Sequence, residues 1–135
     1  MVKSSEILTA ILVNNTLLDF FGGEKVKIAV IGSRGLTVRE DILRGILGNV
    51  DEIVSGGAKG IDACAAEYAR KNDIKLTEIL PRYEIYGRAA PIIRNKEIVN
   101  YADKVVAFWD GRSKGTLSVI KYARSLQKSC EIIIL

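Results

Sequence analysis

The feature that most constrains this 135-residue chain is an alternation. Short apolar runs take turns with segments whose apolar residues recur at helical spacing. The runs are 27–31 (KIAVI), 52–54, 75–80, 104–108 (KVVAF) and 131–135 (EIIIL). Between them, Val38, Ile42, Leu43, Ile46 and Leu47 mark a helix stopped by Gly48, and 61–71 is an alanine-rich helix. A loop after Pro81 leads to a helix over 91–101, and Leu117, Ile120, Ala123 and Leu126 mark another over 116–128. Strands joined by helices pair in parallel through right-handed crossovers. Runs apolar on both faces need helices on both sides. An extra segment, 4–21, places Ile7, Leu8, Ile11, Leu12, Leu18 and Phe21 on one helical face, with Gly22 and Gly23 as a stop. It fits a helix packed on the sheet or a homo-oligomer or partner surface.

Composition narrows the chemistry. Histidine is absent, which removes His-based triads and His-bearing zinc sites. Cys64 and Cys130 are too few for a tetrathiolate metal site and fit a reducing compartment. No apolar run reaches the ~18 residues of a membrane span, and no signal-peptide pattern opens the chain, so the expected place is the cytoplasm. A net charge of +4 and a pI near 9.1 permit nucleic acid or a small anion as partner.

The glycines and cations gather at one sheet edge. Strand one runs into Gly32-Ser33-Arg34-Gly35, strand two into Ser55-Gly56-Gly57-Ala58-Lys59-Gly60, and strand four into Trp109-Asp110-Gly111-Arg112-Ser113-Lys114-Gly115-Thr116. All three loops enter helices, whose first amides and positive dipole end suit phosphate. Gly32 and Gly35 lack the dinucleotide spacing, and Ile61 stands where a Walker A loop needs lysine. An ordinary NAD dehydrogenase or P-loop NTPase is disfavoured.

Four segments, in order, resemble the SLOG superfamily, which includes the DNA-processing DprA proteins, the LOG phosphoribohydrolases and the YspA/YpsA-like proteins. They are 31–34 (IGSR), 54–66 (VSGGAKGIDACAA), 86–95 (YGRAAPIIRN) and 108–116 (FWDGRSKGT), the last two being similar to the YspA-like branch. The resemblance spans 27–135 and leaves 1–26 outside as an N-terminal helical extension. It implies a Rossmann-like three-layer α/β sandwich with a five-stranded parallel sheet ordered 3-2-1-4-5. It also implies a nucleotide or ADP-ribose-like ligand, and fixes no cofactor and no metal.

Roles follow on the matching positions. Gly56, Gly57 and Gly60 would admit backbone close to phosphate. Asp62 would accept hydrogen bonds from loop amides or a ligand hydroxyl. Arg94 would grip phosphate in a fork, and Asn95 would bond the ligand or a neighbouring loop. Ser113 and Thr116 resemble phosphate-loop hydroxyls or helix caps, and Trp109 suits stacking or packing. LOG enzymes carry a glutamate where this chain has Val119, so whether the chain is an enzyme stays open. The expected function is binding of a nucleotide-derived small ligand as sensor or carrier. The alternatives are a LOG-like phosphoribohydrolase and DprA-like single-stranded nucleic-acid binding.

Overall fold

The computed structural model describes residues 25–135; the expected helix over 4–21 lies outside them. Five strands form one parallel sheet: β1 (Lys27–Gly32), β2 (Glu52–Ser55), β3 (Lys75–Glu78), β4 (Lys104–Trp109) and β5 (Cys130–Ile134). Their order is β3-β2-β1-β4-β5, as the alternation and the resemblance together lead one to expect. β1 is central, with Ala29 facing Val54 on one side and Val105 on the other.

The pleat sends alternate β1 residues to opposite faces, and each face meets its own helices. Ile28 and Val30 join Leu43 and Leu47 of α1 (Glu40–Leu47) and Ile61, Ala65 and Tyr68 of α2 (Ile61–Lys71). Ala29 and Ile31 join Ile98 and Val99 of α4 (Ala90–Tyr101) and Val119, Ile120 and Ala123 of α5 (Lys114–Ser125). The result is a three-layer sandwich. The strands grow outward from β1 to β3, then cross back to β4 on the other side of β1. Loops leaving the carboxyl ends of β1 and β4 therefore part, and a crevice opens between them.

Several boundaries differ from the sequence pattern: β3 ends at Glu78 rather than residue 80 and β5 spans Cys130–Ile134 rather than 131–135, and the helical differences have local reasons. α1 starts at Glu40 because Arg39 is extended and pairs with Asp41 in the first turn. The loop expected before α4 holds a single helical turn, α3 (Tyr83–Tyr86), and a 3-10 turn (Gly87–Ala89), with Pro91 in the opening turn of α4. α5 starts at Lys114, where the Ser113 hydroxyl accepts the Thr116 amide at 3.3 Å, a helix cap. It ends at Ser125, because Gln127 turns left-handed and the Lys128 amide returns to the Ala123 carbonyl.

Two polar ties hold α4 in place. The Lys128 ammonium donates to the carbonyls of Val99 and Ala102 at the end of α4, at 2.7 and 2.6 Å. At the amino end of the sheet, the Tyr101 hydroxyl donates to the buried Glu52 carboxylate at 2.6 Å, and Thr77 of β3 donates to the same oxygen at 2.7 Å. Lys75 pairs with the other oxygen at 3.5 Å, and the Lys27 ammonium lies 4.1 Å from the centre of the Tyr101 ring. This network joins β1, β2, β3 and α4.

Candidate functional site

The three glycine-bearing loops and one face of α4 enclose a crevice of about 460 Å³ at the carboxyl edge of the sheet. Ten of the sixteen residues singled out in the sequence line it: Gly32, Ser33, Arg34, Gly56, Asp62, Arg94, Asn95, Ser113, Gly115 and Thr116. The other six, Ser55, Gly57, Lys59, Gly60, Trp109 and Gly111, stand outside its wall.

Most of the six build the loops. The buried Ser55 hydroxyl accepts the Gly57 amide at 3.2 Å, which folds the β2–α2 loop. Leu80 covers Gly57. Gly60 has φ +74°, and a side chain there would run into the Arg34 and Leu36 carbonyls. Its glycine is needed where the first two loops touch. The Trp109 indole donates to the Ser113 carbonyl at 3.0 Å and packs against the α4–α5 core, so it braces its loop. Lys59 and Gly111 are exposed.

Arg94 differs most from its sequence reading. It is 9% exposed, and its Nη1 donates to the carbonyls of Gly56 and Ile79 while Nε donates to Asn95 at 2.9 Å. Much of its fork is therefore spent on the protein's own backbone, holding the β2–α2 loop against α4. Arg94 also forms part of the crevice wall, and its Nη2 has no hydrogen-bond partner among the described residues. A side chain on Gly56 would press on both this guanidinium, 2.8 Å away, and the Asp62 carboxylate, 3.0 Å away. That close approach is what requires glycine.

Asp62 lies in the first turn of α2 and is 5% exposed. Burial pushes its carboxyl above the ordinary value, and the Ala58 amide at 3.2 Å and the charge of Arg94 offset this only in part. Burial likewise pulls the Arg94 guanidinium below its ordinary value, against the opposing charge of Asp62. Asp110 lines the crevice but is turned to its own loop. Its carboxylate accepts the Ser113 and Arg112 amides, both at 2.8 Å, which holds it below the usual range. The same residue's amide donates to the Ser33 hydroxyl at 3.3 Å, tying the β4 loop to the β1 loop.

Sequence reasoning did not put Gly35, Ala58, Pro91, Asp110 and Val119 among the site residues, though all five line the crevice. The first four sit inside segments already quoted, so membership of the loop was the available signal. Val119 is 3% exposed and presents an apolar surface to the wall at the position discussed for a glutamate.

No protein-family model matches the chain, and no curated protein matches it. Solved structures do. A structure of DNA processing protein A (DprA) from Helicobacter pylori, which describes that protein's single-stranded DNA binding mode, matches with a TM-score of 0.64 and 23% identity over 88% of this chain. DprA from Streptococcus pneumoniae matches with a TM-score of 0.66 and 23% identity, again over 88% of this chain. The fold is DprA-like. The chain corresponds to 68% of the first DprA chain and 52% of the second. Among the described residues no helix is long and apolar enough to cross a membrane.

Proposed function

We propose that the crevice holds phosphate groups of single-stranded nucleic acid. The observation that carries this reading is the convergence on one cleft of the Arg34 guanidinium, the remaining Arg94 nitrogen and the opening turn of α5. The first amides of that helix have no earlier helical carbonyl to bond, and its Ser113 and Thr116 hydroxyls stand beside them. Arg88, Arg112 and Lys114 are exposed on segments bordering the cleft. The likeness to a DprA whose single-stranded DNA binding mode has been described favours a strand over a single nucleotide.

A second reading, a nucleoside phosphate or ADP-ribose-like small ligand, has its own support. The volume of about 460 Å³ lies within the range of small-molecule clefts, ~300–1,000 Å³, and Asp62 offers an acceptor beside the phosphate donors. Val119 gives the phosphoribohydrolase reading no carboxylate at its expected position.

The test is fluorescence anisotropy of a labelled single strand, titrated at several salt concentrations and competed with AMP and ADP-ribose. The proposal expects binding whose log K falls with log salt by ~0.7 for each phosphate neutralised, weakened by Arg34→Ala. Absence of binding at low salt overturns it. Melting raised by the small nucleotides alone would move the assignment to the second reading.

A further inference from the structure

The segment between β3 and α4 carries four exposed large apolar or aromatic side chains, Leu80, Tyr83, Ile85 and Tyr86, and it adjoins the crevice. Tyr83 is 54% exposed and Tyr86 38%, with Leu80 and Ile85 more than half exposed, as is Ile92 in the first turn of α4. The segment is anchored at both ends to crevice elements. Leu80 lies over Gly57 of the β2–α2 loop, and Pro91 is itself in the crevice wall. The stretch from Leu80 to Asn95 carries three arginines against one glutamate. Arg82 sits 5.5 Å from the centre of the Tyr86 ring and pairs with Glu97 at 2.9 Å.

Exposed aromatics among cations, continuous with a cleft lined by candidate phosphate donors, match one kind of ligand: unpaired bases on a charged backbone. A base stacks on any aromatic face, while its phosphates are held electrostatically. We infer that Tyr83 and Tyr86 form a stacking platform for bases of the strand whose phosphates enter the crevice. The inference rests on the reading above and adds the part of the ligand that is not phosphate.

Two labelled strands of equal length, about 20 nucleotides, separate the two ideas. One is oligothymidine and the other an abasic strand with the same number of phosphates. The wild type should bind oligothymidine about 5- to 150-fold more tightly for each stack formed. Tyr83→Ala combined with Tyr86→Ala should abolish that preference and leave abasic binding unchanged, and the paired Phe variants should keep it. Equal binding of the two strands by the wild type, or an unaltered preference in the Ala variant, overturns the platform and leaves the crevice standing. No binding of either strand overturns the crevice reading and the platform with it. If the patch instead holds a second copy of this chain, the wild type will sediment as a dimer that the Ala variant dissociates, and the inference falls.

Discussion

Two buried carboxylates flank β2, and their surroundings are opposite. Glu52, at the amino end, is 7% exposed, and Asp62, past the carboxyl end, is 5% exposed. Burial pushes the Glu52 carboxyl up, but Tyr101, Thr77 and Lys75 outweigh it and leave the group below its ordinary value. Burial of Asp62 is not outweighed, and its carboxyl stays above the ordinary value. One end of the sheet is closed by side chains that answer the buried charge. At the other end, Arg94 gives its Nη1 to two backbone carbonyls and its Nε to the Asn95 side chain, and no ion pair within 4.0 Å joins it to Asp62 among the described residues. Incomplete compensation next to an open cleft is a pattern that clusters at functional sites, and the proposed function draws on it.

Breaking the crevice end should have the largest effect. Arg94→Ala leaves the carbonyls of Gly56 and Ile79 without their donor and removes the buried cation nearest Asp62. Loss of a buried charged donor to several acceptors should lower unfolding stability by about 3 kcal/mol, read in urea. Because this variant also unfastens the β2–α2 loop, strand binding should fall together with stability.

Breaking the amino end should cost less. Glu52→Ala removes the acceptor of Tyr101 and Thr77, and both hydroxyls are near enough to the surface to rehydrate in part. The expected loss is about 2 kcal/mol, with strand binding unchanged. A matching loss of binding would show that the two ends are not independent.

Sharpening the comparison calls for Asp62→Asn, which keeps an acceptor for the Ala58 amide and removes the charge. A raised carboxyl favours the folded state below the ordinary carboxylate range and loses that contribution as pH rises through its raised value. At neutral pH the ionised form is therefore a burden, and Asp62→Asn should stabilise the protein by about 1 kcal/mol. That gain should fade in acid. Glu52 runs the other way: its contribution is full above the ordinary range and disappears as pH falls through its lowered value. Thermal melts of the wild type and both variants across pH 3–8 would expose the opposite slopes.

The fold was legible because its evidence is repeated. Five apolar runs and their helices agree on one topology, and an error at one boundary, such as residue 38 for the start of α1, changes nothing else. The crevice at the carboxyl edge was legible for a related reason: three strand-end loops of a parallel sheet must share an edge. The tasks of individual side chains were not. Arg94 and Gly56 are 38 positions apart, and only the folded chain shows a carbonyl waiting for the guanidinium. Glu52 and Tyr101 are 49 apart, and a glutamate opening a strand looks like a solvent-facing end. The glycines were read as approaches to phosphate, whereas Gly60 is demanded by contact between two loops.

The central claim, that the carboxyl-edge crevice is the binding site, is tested most directly at Gly115. This residue lines the crevice, lies in the first turn of α5, and has open space where a side chain would go. Aspartate is welcome in a first helical turn, so Gly115→Asp should leave the melting temperature unchanged while placing a negative charge where the proposal puts phosphate. Anisotropy titration of the same labelled strand with the two proteins, at one low salt concentration, is the measurement. The account predicts binding by the wild type and a loss of at least ~10-fold in the variant, about 1.4 kcal/mol. Equal binding by an equally stable Gly115→Asp protein would contradict it.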